Sequence, residues 1–283
     1  MPLDQYEEEN EMTFLDHLEE LRWHIIRALI AIVVFAVSAF IAKDLVFKII
    51  ILGPSKVDFW TYRMLCEASE KLTALFNTPA FCIDQLPFII QSRQLTGQFT
   101  MHITASFVIG LVLAFPYAFW EIWRFIKPGL YPKERKAANG ASFYVSFLFI
   151  TGVLFGYFIV TPLSINFLSN YQLDPSILNE FDIVSYVTTV VTLVVACGIL
   201  FQLPVVIFFL TKAGIISPAL MIKYRRHSIV VILVVGAMLT PPDPFSQILI
   251  ALPLLGLYQV GIIISKRVIR KELKKSQIAK RDE

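Results

Sequence analysis

Apolar runs of bilayer-crossing length alternate with short polar stretches along most of this 283-residue chain. The runs fall at about 25–42, 99–119, 142–160, 184–210, 228–240 and 245–265. A stretch of roughly 18 or more apolar residues reads as a membrane-spanning helix. The fifth run is shorter: its thirteen residues rise only about 20 Å, against a hydrocarbon layer of roughly 30 Å. Pro116, Pro162, Pro204 and Pro253 lie within runs, where each removes a backbone donor and bends a helix. The pattern predicts an all-α polytopic membrane protein with six transmembrane helices in a concave, cup-like bundle, the fifth and sixth spans short.

The stretches between the runs predict the organisation. Residues 1–12 carry five acids and no Lys or Arg, a solvated tail. Thr13-x-x-Asp16 has the form of a capping box, and Phe14, Leu18, Leu21 and Ile25 make one helical stripe. A cytoplasmic tail and interfacial helix over 1–24 would thus lead into a six-span domain over 25–265, with a basic tail over 266–283 forming a short, fraying helix. No cleavable signal peptide is expected, because the first 23 residues hold no apolar core. The segment 43–98 is long and mixed, with a helical pattern at 59–76. Thr240-Pro241-Pro242-Asp243-Pro244 reads as a tight turn between spans five and six.

Composition and charge sharpen this picture. The chain is 56% hydrophobic and 17% charged, with a mean hydropathy of +0.66, whereas soluble domains average about 45–50% and about 25%. Segment 43–98 holds six of the 25 Lys and Arg residues, and the other two segments on its side hold none. The remaining cations flank the loops 124–141 and 211–227 or lie near the termini, so the positive-inside rule puts both termini in the cytoplasm. The basic residues border apolar spans and form no aromatic-laced face, which argues against nucleic acid as a partner.

Catalytic chemistry finds little support. Phosphate-loop, H-E-x-x-H and G-x-S-x-G patterns are absent, the four histidines are scattered, and no metal or cofactor is expected. Gln202 is the main polar side chain near the middle of a span, suited either to an interhelical hydrogen bond or to contact with a partner's helix. Asp243 before Pro244 fits an N-cap with proline in the first turn. Cys66 and Cys82 share the long outer segment, where they are either free thiols or a disulfide. The stretch from 115 to 135 forms a charged hairpin with Trp120, Trp123 and Phe125 as interfacial anchors. Glu20 and Glu134 stand at the same surface among basic and apolar residues. Glu20 can pair with His24 at i,i+4, and Glu134 can compensate a helix dipole or pair with Arg135 or Lys136. Alternatively, both carboxylates receive a cationic ligand.

Three motifs, in order, resemble the TatC family, the polytopic subunit of the twin-arginine protein translocase. His17-Leu18-Glu19-Glu20-Leu21-Arg22 is similar to the family's motif before span one. Phe115-Pro116 through Trp123 and Phe125 to Arg135 is similar to its first cytoplasmic loop. Thr240-Pro241-Pro242-Asp243-Pro244-Phe245-Ser246-Gln247 is similar to its turn between spans five and six. The resemblance covers about residues 12–268. It implies that Glu20 and Glu134 receive the paired arginines of signal peptides on folded export substrates. It further implies functional or assembly roles for Arg22, Phe125, Leu130, Pro54 and Asp243. Single-span TatA- and TatB-type partners, assembly of several copies into a hetero-complex, and a drive from the proton motive force are also implied. Many members carry Glu where this chain has Gln202, and the first outer segment is longer than usual. A small-solute secondary transporter is the competing reading. It would show repeated halves and ionisable groups near the midplane, which this chain lacks.

Overall fold

The computed structural model describes residues 14–76, 82–83, 85–127, 140–174, 176–239 and 244–279. Helix α1 (Phe14–Ile41) runs unbroken through the boundary expected near residue 24. It is followed by a π-helical turn (Leu45–Ile51) and a 3-10 turn (Gly53–Ser55). Helix α2 (Trp60–Phe76) occupies the outer segment where the helical pattern predicted it. Strand β1 (Ile89–Gln91) leads to α3 (Gly97–Ile126), and α4 (Ala141–Phe155) continues through a π-helical turn (Gly156–Val160) into α5 (Thr161–Asn170). Strand β2 (Glu180–Asp182) precedes α6 (Ile183–Leu200) and α7 (Leu203–Lys212). Helices α8 (Pro218–Lys223), α9 (Arg225–Leu239) and α10 (Pro244–Ala279) complete the order.

Five helical stretches among the described residues are long and apolar enough to cross a membrane: Glu19–Ile41, Gly97–Ile126, Ala141–Asn170, Ile183–Lys212 and Gln247–Lys271. The predicted fifth span corresponds to α9, whose 15 residues rise about 22 Å. The last apolar run ends near residue 265, as the sequence placed it, and it lies within one 36-residue helix that continues well past it. Pro253 is absorbed within that helix. Residues 266–279 contain no Gly or Pro and many good helix formers, so the helix propagates through the basic tail instead of fraying early. The prolines divide into two kinds. Pro116 and Pro253 sit inside continuous α-helices, whereas Pro162 follows a π-helical turn and Pro204 follows the break at 201–202.

Two apolar clusters hold the bundle. One joins Leu193 and Cys197 of α6 to Ile207 of α7, Ile232 of α9, and Ile250, Leu254 and Tyr258 of α10. The other joins Ala39 of α1, Met101 and Ala105 of α3, and Tyr186, Val187 and Val190 of α6. The most extensive helix pair is α1 on α3. A Cβ on Gly110 would lie 2.5 Å from the Ala36 nitrogen, so only glycine permits this approach.

The outer segments are tied together as well as packed. Strands β1 and β2 pair in parallel, Ile89 opposite Glu180 and Gln91 opposite Asp182, a pairing that periodicity did not predict. Arg93 extends the tie with an exposed 3.3 Å contact to Glu180. Tyr62 of α2 is buried, and its hydroxyl donates to the carbonyls of Pro162 (2.7 Å) and Pro54 (3.1 Å). Burial pushes its phenol well above the ordinary tyrosine value, and the nearby Tyr186 phenol adds to the shift. Cys66 and Cys82 are joined by a disulfide, with Cα atoms 4.5 Å apart.

Candidate functional site

The N-terminal half of α1 places Glu20, Trp23, His24 and Arg27 at spacings of three and four residues, so all four side chains share one face. The C-terminal turns of α3 present Tyr117, Glu121 and Arg124 by the same rule. Where these two faces meet, Glu20, Trp23, His24, Arg27 and Arg124 line an open cleft of about 500 Å³.

A buried polar network forms its floor. His24 and Glu121 are only 5% and 2% exposed. The His24 Nδ1 lies 2.5 Å from Glu121 Oε2, and the Tyr117 hydroxyl donates to Glu121 Oε1 at 2.8 Å. An ionised carboxylate can only accept, so Nδ1 carries the hydrogen in this contact. The other ring nitrogen, Nε2, faces Glu20 Oε1 at 3.9 Å, and the Glu20 side chain remains 39% exposed at the rim. Phe125 flanks the imidazole with ring centroids 6.2 Å apart. Arg124 lies over the Trp120 ring at 5.6 Å. The cleft thus sets the Glu20 carboxylate among two guanidinium groups and an imidazole, with Glu121 buried behind the imidazole. It is suited to holding a cationic group at Glu20, the carboxylate open to solvent.

Among the residues singled out from sequence, Glu20 and Phe125 come together around His24. Arg22 is exposed and does not line the cleft. Glu134, Leu130 and Asp243 lie outside the described residues, although α10 does begin at Pro244. Pro54 is buried in the 3-10 turn among the outer segments, away from the cleft. Gln202 falls in the break between α6 and α7, where its Nε2 donates to the Val145 carbonyl at 3.1 Å. Its Oε1 is buried and has no hydrogen-bond partner among the described residues. Sequence reasoning named His24 only as an i,i+4 partner of Glu20, and it missed Arg27, Tyr117 and Glu121 as parts of the site. The i,i+4 spacings Glu20–His24 and Tyr117–Glu121 were legible, but the 97-residue link between His24 and Glu121 was not.

The fold and this cleft define a polytopic helical membrane protein with a charged recess at the mouth of its first two spans. The family model for the Sec-independent protein translocase protein TatC matches residues 16–253. TatC of Blattabacterium sp. subsp. Periplaneta americana (strain BPLAN) is 39% identical over 267 residues, covering 94% of this chain and 99% of that protein. TatCy of Bacillus subtilis (strain 168) is 33% identical over 274 residues, 96% of each chain. Two crystal structures of a twin-arginine translocase receptor, TatC, superpose with TM-scores of 0.63 and 0.67 at 29% and 30% identity. They cover 89% and 88% of this chain and 99% of theirs. The chain belongs to the TatC family, and it is a non-catalytic membrane component of the Tat protein translocase.

Proposed function

We propose that this subunit is the receptor for twin-arginine signal peptides and the platform on which the translocase assembles. The observation that carries the reading is Glu20, a half-exposed carboxylate at the rim of a cleft whose floor is a buried His24–Glu121 pair. A guanidinium meets a carboxylate bidentately, and a lysine ammonium cannot reproduce that planar fork. Glu134 supplies the second carboxylate, and Arg22, Phe125 and Leu130 are the further signal-peptide-binding residues. The uneven distribution of Lys and Arg supports a cytoplasmic location for both termini in the inner membrane. With α9 as a thin fifth crossing, the chain makes six passes. Gln202, Pro54 and Asp243 contact single-span TatA- and TatB-type subunits or neighbouring copies. The proton motive force drives export, and no bond chemistry occurs in this chain.

Photo-crosslinking of a labelled twin-arginine signal peptide to purified, membrane-inserted protein tests the proposal. Loss of one charge-assisted contact of about 1.5–3 kcal/mol weakens binding roughly 10- to 100-fold. Glu20→Lys and Glu134→Lys should each lose the crosslink while inserting normally. Wild-type crosslinking by both variants would place recognition elsewhere.

A further inference from the structure

The His24–Glu121 pair goes beyond what an anchor between two helices requires. Glu121 Oε2 takes the Nδ1 of His24 at 2.5 Å, and Tyr117 fixes the same carboxylate by donating to Oε1 at 2.8 Å, so one edge of the ring is held by a restrained partner. With Nδ1 fixed and the ring buried, the imidazole has one edge left, and that edge faces the Glu20 carboxylate. The remaining charged groups around this point are Arg27 and Arg124, which line the same cleft. As an imidazolium, the ring donates to Glu121 from Nδ1 and presents Nε2–H to Glu20 Oε1. At 3.9 Å this is an ion pair and not a hydrogen bond, and it draws the Glu20 carboxylate toward the ring at the rim of the cleft.

We propose that His24, clamped by the buried carboxylate of Glu121, is a positioning residue that orients Glu20 for an arginine side chain of the ligand. The inference rests on the receptor reading of Glu20. Its chemistry is specific to one ring nitrogen. An asparagine in place of His24 keeps an N–H near the position of Nδ1 and so retains a donor to Glu121, but it has nothing where Nε2 was. The His24→Asn protein therefore retains the tie between α1 and α3 while freeing Glu20 to rotate.

The experiment is a double-mutant cycle on the full-length protein in lipid nanodiscs. A fluorescent twin-arginine signal peptide is titrated against wild type, His24→Asn, Glu20→Gln and the double variant, with thermal unfolding recorded for each. An ion pair of this length with one partner open to solvent is worth about 0.2–1 kcal/mol, so His24→Asn should weaken binding roughly two- to fivefold with little change in unfolding temperature. Glu20→Gln should weaken it by roughly tenfold or more. In the Glu20→Gln background the His24 substitution should have no further effect, because the residue acts only through Glu20. Additive losses, or undiminished affinity in His24→Asn, would overturn the positioning role. If Glu20→Gln itself binds like wild type, the receptor reading of Glu20 fails instead.

Discussion

Replacing Gly110 by alanine is a direct test of how α1 and α3 are held together. The added Cβ would stand 2.5 Å from the nitrogen, 2.6 Å from the Cα and 2.7 Å from the Cβ of Ala36. Carbon atoms settle at about 3.5–4.0 Å, so α1 must retreat by about 1 Å at the crossing. All three obstacles are backbone atoms or a Cβ, and no flexible side chain can swing away. Overpacking of this kind costs about 1–3 kcal/mol. The cost should appear as a lowered unfolding temperature in detergent, at roughly 2–4 °C per kcal/mol for a chain of this size. Glu121 lies about 16 Å further along α3, so the separation should also loosen the His24–Glu121 contact and weaken signal-peptide binding. Ala36→Gly added to Gly110→Ala removes only one of the three clashes and should restore less than half of the loss. Gly256→Ala is the control, since its Cβ would meet nothing within 4 Å, and it should be neutral or slightly stabilising. Wild-type melting of Gly110→Ala, or full rescue by Ala36→Gly, would refute the close-approach argument.

Two further outcomes follow from other parts of the bundle. Gln202→Leu exchanges one interhelical bond, worth about 0.6 kcal/mol on average, for relief of a buried, unpartnered oxygen; unfolding should change little while co-purification of a single-span partner falls. Unchanged partner recovery would assign Gln202 to internal packing alone. For the outer segment, thiol-blocked peptides from membrane-purified protein should show Cys66 linked to Cys82, and reduction should destabilise the protein by about 3 kcal/mol for a loop of this length. Free thiols at both positions in native protein would contradict the pairing.

The signals that were legible in the sequence are local. A run of apolar residues declares a span because hydrocarbon demands it within a single helix. Hence α1, α3 and the helical stretches over 141–170 and 183–212 fall close to where hydropathy put them. The start of α10 at Pro244 and the helix over Trp60–Phe76 were equally local, set by proline geometry and by helical periodicity. Propensity within residues 266–279 could have corrected the length of the last helix, since that stretch has no breaker. Tertiary structure alone decided which helix Gly110 touches, which strand completes β1, and which carbonyl the Gln202 amide reaches. It also decided that Glu121, one acid in the charged 115–135 stretch, becomes the buried partner of His24. Periodicity reports which side of a helix is apolar, but the partner of a buried polar atom depends on the crossing of two helices. That crossing is set by the approach of Ala36 to Gly110, and no spacing along the chain encodes it.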